Sequence, residues 1–203
     1  MTSVAIIDSG GANIASLLFA LERLKFGAVL TSDRSTIESA ERVILPGVGA
    51  AKDAMSRLER AGLVEVIRSL SQPVLGICLG MQLLFDRSDE EDTECLGIIP
   101  GVAGKLRATA EAPVPNMGWC ATQMRQAHPL LDGLDNGSFF YYLHSYALPI
   151  SEYSLATATH GAANGFEFSS VVACRNFFAA QFHPERSSTA GAMLLRNFLH
   201  GVT

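Results

Sequence analysis

No CxxC pair occurs in this 203-residue chain, and its four cysteines, Cys78, Cys95, Cys120 and Cys174, lie far apart in different local settings. Nothing there signals a disulfide framework, and the spacing suits a reducing compartment. The five histidines, His128, His144, His160, His183 and His200, form neither an HExxH motif nor a Cys/His cluster, so no metal site is expected. The opening "MTSVAIIDSGG" lacks the basic flank and long apolar run of a signal peptide, and no later stretch is long enough to cross a bilayer. A cytoplasmic protein without membrane contact is the expectation. Charge is scarce at 17%, with a formal net charge of -5, which gives no general attraction to polyanions and argues against nucleic acid as a partner. "GGAN" lacks the full GxGxxG spacing, and "ILPGVGA" is not a Walker loop, so no cofactor is expected.

What is present is apolar and regular. The hydrophobic share is 48%, and the length is enough to bury a full core, so residues 1–203 are expected to form a single domain. No internal repeat, low-complexity tract or Pro/Gly linker divides them. "VAIID", "GAVLTS", "RVILPG" and "PVLGI" read as strands. Between them, "NIASLLFALERL" has helical apolar spacing behind a possible Asn13 cap, and a helical stretch runs from about Ala51 into "LVEVIRSL". Apolar strands alternating with amphipathic helices predict an α/β fold with a central, mostly parallel sheet flanked by helices. The charged "DRSDEEDTE" reads as a solvated loop. Beyond it, "FFYYLHSYAL", "YSLATATH", "SSVVACR" and "FFAAQFH" predict additional antiparallel strands in the C-terminal half, before a last helix from about Thr189 to His200.

Three segments carry chemistry. In "VLGICLGMQLLF", Gly76 and Gly80 flank Cys78 where a strand gives way to a helix. Small neighbours there fit a sharp turn that lifts a nucleophile toward the positive end of the following helix. From these residues alone, Cys78 is equally readable as a buried small hydrophobe. "QFHPERS" places His183 and Glu185 two apart with Pro184 between, a base with a carboxylate behind it. Cysteine and histidine together make an acyl-transfer site the better explanation. "ILPGVGA" supplies glycines at the same expected sheet edge, where backbone amides could face an oxyanion.

In chain order, "PGVG", "GICLGMQLLF" and "QFHPERS" resemble the signature of the triad glutamine amidotransferases. "LGIIPG", "VPNMGW", "YYLHSYA", "GFEFSSV" and "LLRNF" extend the resemblance, from first strand to last helix, to the glutaminase subunits of imidazole glycerol phosphate synthase in bacterial histidine biosynthesis. The resemblance implies a three-layer, flavodoxin-like fold. It also implies that Cys78 is the nucleophile, His183 the general acid/base and Glu185 its orienter. The Val48 and Leu79 amides would form the oxyanion site, and Gly49, Gln82, Ser145 and Tyr146 would bind glutamine. Asn13, Trp119, Tyr141 and Arg186 match positions that approach a partner, although without the resemblance Trp119 and Tyr141 read equally as core aromatics and Asn13 as a helix cap. That partner would be a (β/α)8 barrel cyclase forming a heterodimer, since this chain is too short to contain the barrel as well. Glutamine would give glutamate and ammonia, and the cyclase would use the ammonia to form imidazole glycerol phosphate and aminoimidazole carboxamide ribotide.

The chain departs from the family's usual pattern at Ser9, Ala12, Asn116, Cys120 and Arg186, and guanidinium and ammonium are not equivalent at the last. Three alternatives stand beside this reading. They are a glutaminase of another biosynthetic pathway, a catalytically silent binding subunit of the same fold, and a free-standing cysteine hydrolase.

Overall fold

Val4, Ala5, Ile6 and Ile7 are all buried, as expected of a parallel strand covered on both faces. They form β1 (Val4–Ile7) of a computed structural model that describes residues 3–9, 14–161 and 165–202. The N-terminal half continues through α1 (Ile14–Arg23), β2 (Ala28–Thr31), α2 (Arg34–Ser39), β3 (Arg42–Gly47), α3 (Ala51–Arg60) and α4 (Val64–Ser69). It ends in β4 (Val74–Cys78) and α5 (Leu79–Leu83). The C-terminal half adds β5 (Phe85–Ser88), β6 (Thr93–Glu94), β7 (Ile99–Lys105), β8 (Asn116–Met124) and β9 (Phe139–His144). It closes with β10 (Tyr146–Ala147), β11 (Ser154–His160), β12 (Phe166–Cys174), β13 (Phe177–Ala180) and α6 (Ser188–His200).

A nine-stranded sheet, ordered β2-β1-β3-β4-β13-β12-β11-β8-β9, runs through the molecule. Its first five strands pair in parallel and the remainder antiparallel, so the expected antiparallel additions make up the whole second half of the sheet. Side-chain alternation along β1 divides the core. Ala5 and Ile7 pack with Met55 and Leu58 of α3, whereas Val4 and Ile6 pack with Leu17 and Leu21 of α1 and Phe198 of α6. Three layers follow from that division. Among the described residues, no helix is long and apolar enough to cross a membrane.

The charged stretch 86–94 corrects the sequence reading. It is not a plain solvated loop but part of a second, four-stranded sheet, ordered β10-β7-β5-β6. Ser88 and Thr93 are buried in it, and the Thr93 hydroxyl donates to the Glu90 carbonyl at 2.6 Å. A Glu90 carboxylate oxygen then accepts from the Ala51 amide at 2.7 Å, doing for the start of α3 what the side chain of Ala50 cannot. Charge density hid two short strands that pair with each other and, through β5, with β7 outside the stretch.

Helix α2 was also absent from the sequence reading. Its six residues bury only Ile37, too little for an apolar period, but Asp33 caps it by accepting from the Thr36 amide at 2.8 Å.

Candidate active site

The cysteine of the glycine-flanked turn sits at the last position of β4, with φ 54° and ψ -110°, a left-handed backbone that a side-chain-bearing residue adopts only under constraint. The constraint comes from crowding. A Cβ on Gly80 would lie 1.8 Å from the Leu45 carbonyl oxygen, and one on Gly76 would lie 2.8 Å from that of Gly80. Glycine is therefore required where α5 turns back against β3, and the turn leaves Cys78 at the sheet edge. Its sulfur is 3.6 Å from the Leu143 carbonyl and 3.9 Å from the Gln181 amide nitrogen.

His183 faces that sulfur. Its Nδ1 is 2.8 Å from Glu185 Oε1, so the neutral ring holds its proton on Nδ1 and turns Nε2 to the thiol. Burial works against charge on this imidazole, but hydrogen bonds to Cys78 and Glu185, reinforced by their charges, raise its pKa from 6.5 to about 10. The Glu185 side chain is only 7% exposed, and its second oxygen is buried with no hydrogen-bond partner among the described residues. Backbone ties fix the base as well. The His183 amide donates to the Tyr141 carbonyl at 2.9 Å, and the Ser187 hydroxyl donates to the His183 carbonyl at 2.7 Å while accepting from the Tyr141 amide at 2.9 Å.

A cavity of about 230 Å³ opens onto Cys78 and His183. Val48, Gly49, Leu79, Gln82, Ser145 and Tyr146 all line it, so the fold gathers every residue singled out for substrate and oxyanion. Gln82 is held by its side-chain amide, which donates to the Tyr146 carbonyl at 2.9 Å and to Gln181 Oε1 at 3.1 Å. Leu79 begins α5, where an amide has no intrahelical acceptor. A smaller cavity of about 80 Å³ shares Val48, Leu143 and His183 with the first and continues past Glu185 to Arg186 and Ile14.

Sequence reasoning missed Pro115 and Leu143 of the larger cavity and, more consequentially, its two ionisable residues Glu90 and His144. Glu90 brings a carboxylate to its wall, from the stretch read as a loop. His144 donates from Nδ1 to the Tyr146 carbonyl at 2.8 Å and accepts on Nε2 from the Asn116 amide at 3.0 Å. Burial pushes its pKa down to about 4, so it stands neutral beside the cationic His183. Neither had a local signal, because adjacent carboxylates look alike in sequence and Asn116 meets His144 only through the β8–β9 register.

The residues matched to a partner are gathered outside. Trp119 is 51% exposed, which removes its reading as a core aromatic, and it meets Tyr141 edge-on with ring centroids 6.1 Å apart. The Arg186 guanidinium lies 4.3 Å above the Tyr141 ring, a cation–π contact. Exposed Met117, Leu143 and Phe139 extend this face along the paired strands β8 and β9. Asn13 lies outside the described residues.

A cysteine elbow, an imidazole backed by a carboxylate and a cavity for one small amide define an acyl-transfer enzyme on a layered α/β sheet. The family model described as glutamine amidotransferase class-I matches residues 5–202. Over 196 residues the chain is 47% identical to the imidazole glycerol phosphate synthase subunit HisH 2 of Legionella pneumophila (strain Lens), covering 97% of this chain and 96% of that protein. Over 199 residues it is 48% identical to the HisH subunit of Xanthomonas axonopodis pv. citri (strain 306), covering 98% of each. Among solved structures, PurLQS from Thermotoga maritima superposes with a TM-score of 0.71 at 17% identity, over 97% of each chain, a likeness of fold. The chain belongs to the class-I glutamine amidotransferases and, within them, to the family of HisH subunits of imidazole glycerol phosphate synthase.

Proposed function

We propose that this chain, acting as one domain, hydrolyses glutamine and supplies the ammonia to a cyclase subunit in histidine biosynthesis. The observation that carries the chemistry is the Cys78–His183–Glu185 line at the mouth of a cavity sized for one amino acid. The sulfur attacks the side-chain carbonyl of glutamine beside His183, whose imidazole already carries the proton. Oxygen gains negative charge, which the Val48 and Leu79 amides stabilise. As the C–N bond breaks, His183 gives its proton to the departing nitrogen, and ammonia leaves a glutamyl thioester on Cys78. Water, deprotonated by the now neutral imidazole, then releases glutamate and frees the sulfur. Gln82, Gly49, Ser145 and Tyr146 hold the substrate, and the Glu90 carboxylate is the counter-charge for its α-ammonium group.

The thioester fills the larger cavity, so ammonia departs through the smaller one, toward Arg186. The face of Trp119, Tyr141 and Arg186 lies at that exit, which supports a heterodimer with a (β/α)8 barrel cyclase seated there. The test is glutamate release by the chain alone, with the matching cyclase, and with cyclase plus its nucleotide ligand. Turnover that rises with the liganded partner and vanishes in Cys78→Ala supports the assignment, and equal release by Cys78→Ala would remove it.

A further inference from the structure

Ser9 is buried at 2% exposure, next to no catalytic residue in sequence, and both its side chain and its backbone are committed to long-range partners. Its hydroxyl donates to the Pro46 carbonyl at 2.9 Å, 37 residues away. Its own carbonyl accepts from Arg57 Nε at 2.6 Å, out of helix α3. We propose that Ser9 is a positioning residue for the reaction, an anchor that fixes the Pro46–Gly47 peptide and so aims the next amide, that of Val48, at the oxyanion. The role of Val48 rests on the glutaminase reading above.

The ladder explains why an anchor is needed. Strand β1 pairs with β3 as Val4 with Arg42, Ala5 with Val43 and Ile6 with Ile44, and the pairing stops there. On the other side, β4 continues alongside β3 through Pro46 with Ile77 and Gly47 with Cys78. The last three residues of β3 thus keep a backbone neighbour on the cysteine side and lose the one on the β1 side. After Ile7 the chain turns sharply, with the Ser9 amide donating to the Ile7 carbonyl at 3.0 Å, and the turn points the Ser9 hydroxyl at Pro46. A side-chain hydroxyl replaces the missing rung. Arg57 keeps the turn in place from the opposite side.

The far wall is rigid, because the Gly80 backbone lies against the Leu45 carbonyl with no room for a Cβ. Between that wall and Ser9 the Pro46–Gly47 peptide has one orientation, and rotation is confined to the bonds beyond it, on either side of Val48. An oxyanion donor acts only on charge that develops in the transition state. Loosening its mount therefore reduces kcat and leaves ground-state glutamine binding alone, whereas a merely structural role would shift both together or neither.

The test compares wild type, Ser9→Ala and Ser9→Thr in the cyclase-bound complex, reading kcat and KM for glutamine, with hydrogen exchange of segments 44–50 and 74–78 as a readout independent of activity. Expected for Ser9→Ala is a fall in kcat of about tenfold, a fraction of the roughly hundredfold or greater loss on deleting an oxyanion donor. KM should stay within about twofold, exchange should quicken in 44–50 and not in 74–78, and the hydroxyl of Ser9→Thr should restore kcat. If Ser9→Ala does not fold, Ser9→Cys, with a weak donor of similar size, takes its place. A folded variant with wild-type kcat and unchanged exchange overturns the anchor, as does a kcat loss that threonine fails to rescue. An inactive wild-type complex would instead strike the glutaminase reading, and exchange in 44–50 would still decide whether Ser9 holds the strand.

Discussion

His183 is suspended from Tyr141, its amide donating to the Tyr141 carbonyl at 2.9 Å while the Tyr141 ring lies under the Arg186 guanidinium on the outer face. The proposed acid/base residue is thus one backbone bond from the surface where a partner would sit. Ser187 closes the connection by bonding to both residues. Replacing Ser187 with alanine strands a part-buried amide and should cost about 1–3 kcal/mol, which for a chain of this size lowers Tm by roughly 2–12 °C. Alkylation of Cys78 by a glutamine-derived chloroketone should slow in parallel, because the imidazole loses its mount. A thermal melt and a labelling rate both equal to wild type would show the bridge to be idle.

The elevated pKa of His183 gives stability a definite pH dependence. The folded protein holds the imidazole proton more tightly than the unfolded chain does, so this contribution is complete below pH 6.5 and is lost as pH rises to about 10. Denaturant unfolding of wild type and His183→Asn should show a stability gap that narrows across that window. A gap that widened with pH would contradict the ion-paired imidazole.

Gly80→Ala should be poorly tolerated even though alanine favours helices. The new Cβ would meet the Leu45 carbonyl oxygen at 1.8 Å, and the residue it strikes is fully buried. Overpacking of this kind costs about 3 kcal/mol or more, which corresponds to a fall in Tm of roughly 6–12 °C. A variant that melted with wild type would mean that β3 moves aside freely.

Glu90→Gln keeps size and removes charge. It should raise KM for glutamine about tenfold with little change in kcat, since the α-ammonium group is remote from the reacting carbonyl. Thermal stability measured alongside would separate lost binding from a weakened start of α3, whose first amide the same side chain receives. A lowered kcat at saturating glutamine would place Glu90 in the chemistry.

Trp119→Ala should weaken association with the cyclase by about thirtyfold, the effect of removing an aromatic anchor worth roughly 2 kcal/mol. Isothermal titration against the partner reads this directly, and Cys78 labelling checks that the site is intact. Unchanged affinity would move the docking face elsewhere.

The first half of the fold was legible because its strands are short apolar runs with turn residues between them. The elbow was legible because Gly76 and Gly80 frame Cys78, and the base because His183 and Glu185 stand two apart. Strands β7 and β8 were missed, since Gly101, Gly104 and Gly118 interrupt them and neither alternates cleanly. Pairing, not propensity, makes them strands. Ser9, Glu90 and Asn116 escaped for a related reason, as each acts on a residue brought close only by the finished sheet. Trp119 was ambiguous between core and surface until the register with β9 set its side.

Strand β9 is the outermost of its sheet, and the apolar side chains Met117, Trp119, Phe139 and Leu143 are exposed on it and its neighbour β8. An exposed oily surface of this kind favours contact with another chain. Made in excess of its companion, this protein would tend to stick to itself. Balanced synthesis of this chain and its partner subunit is then a matter of keeping the chain in solution, quite apart from keeping ammonia in hand.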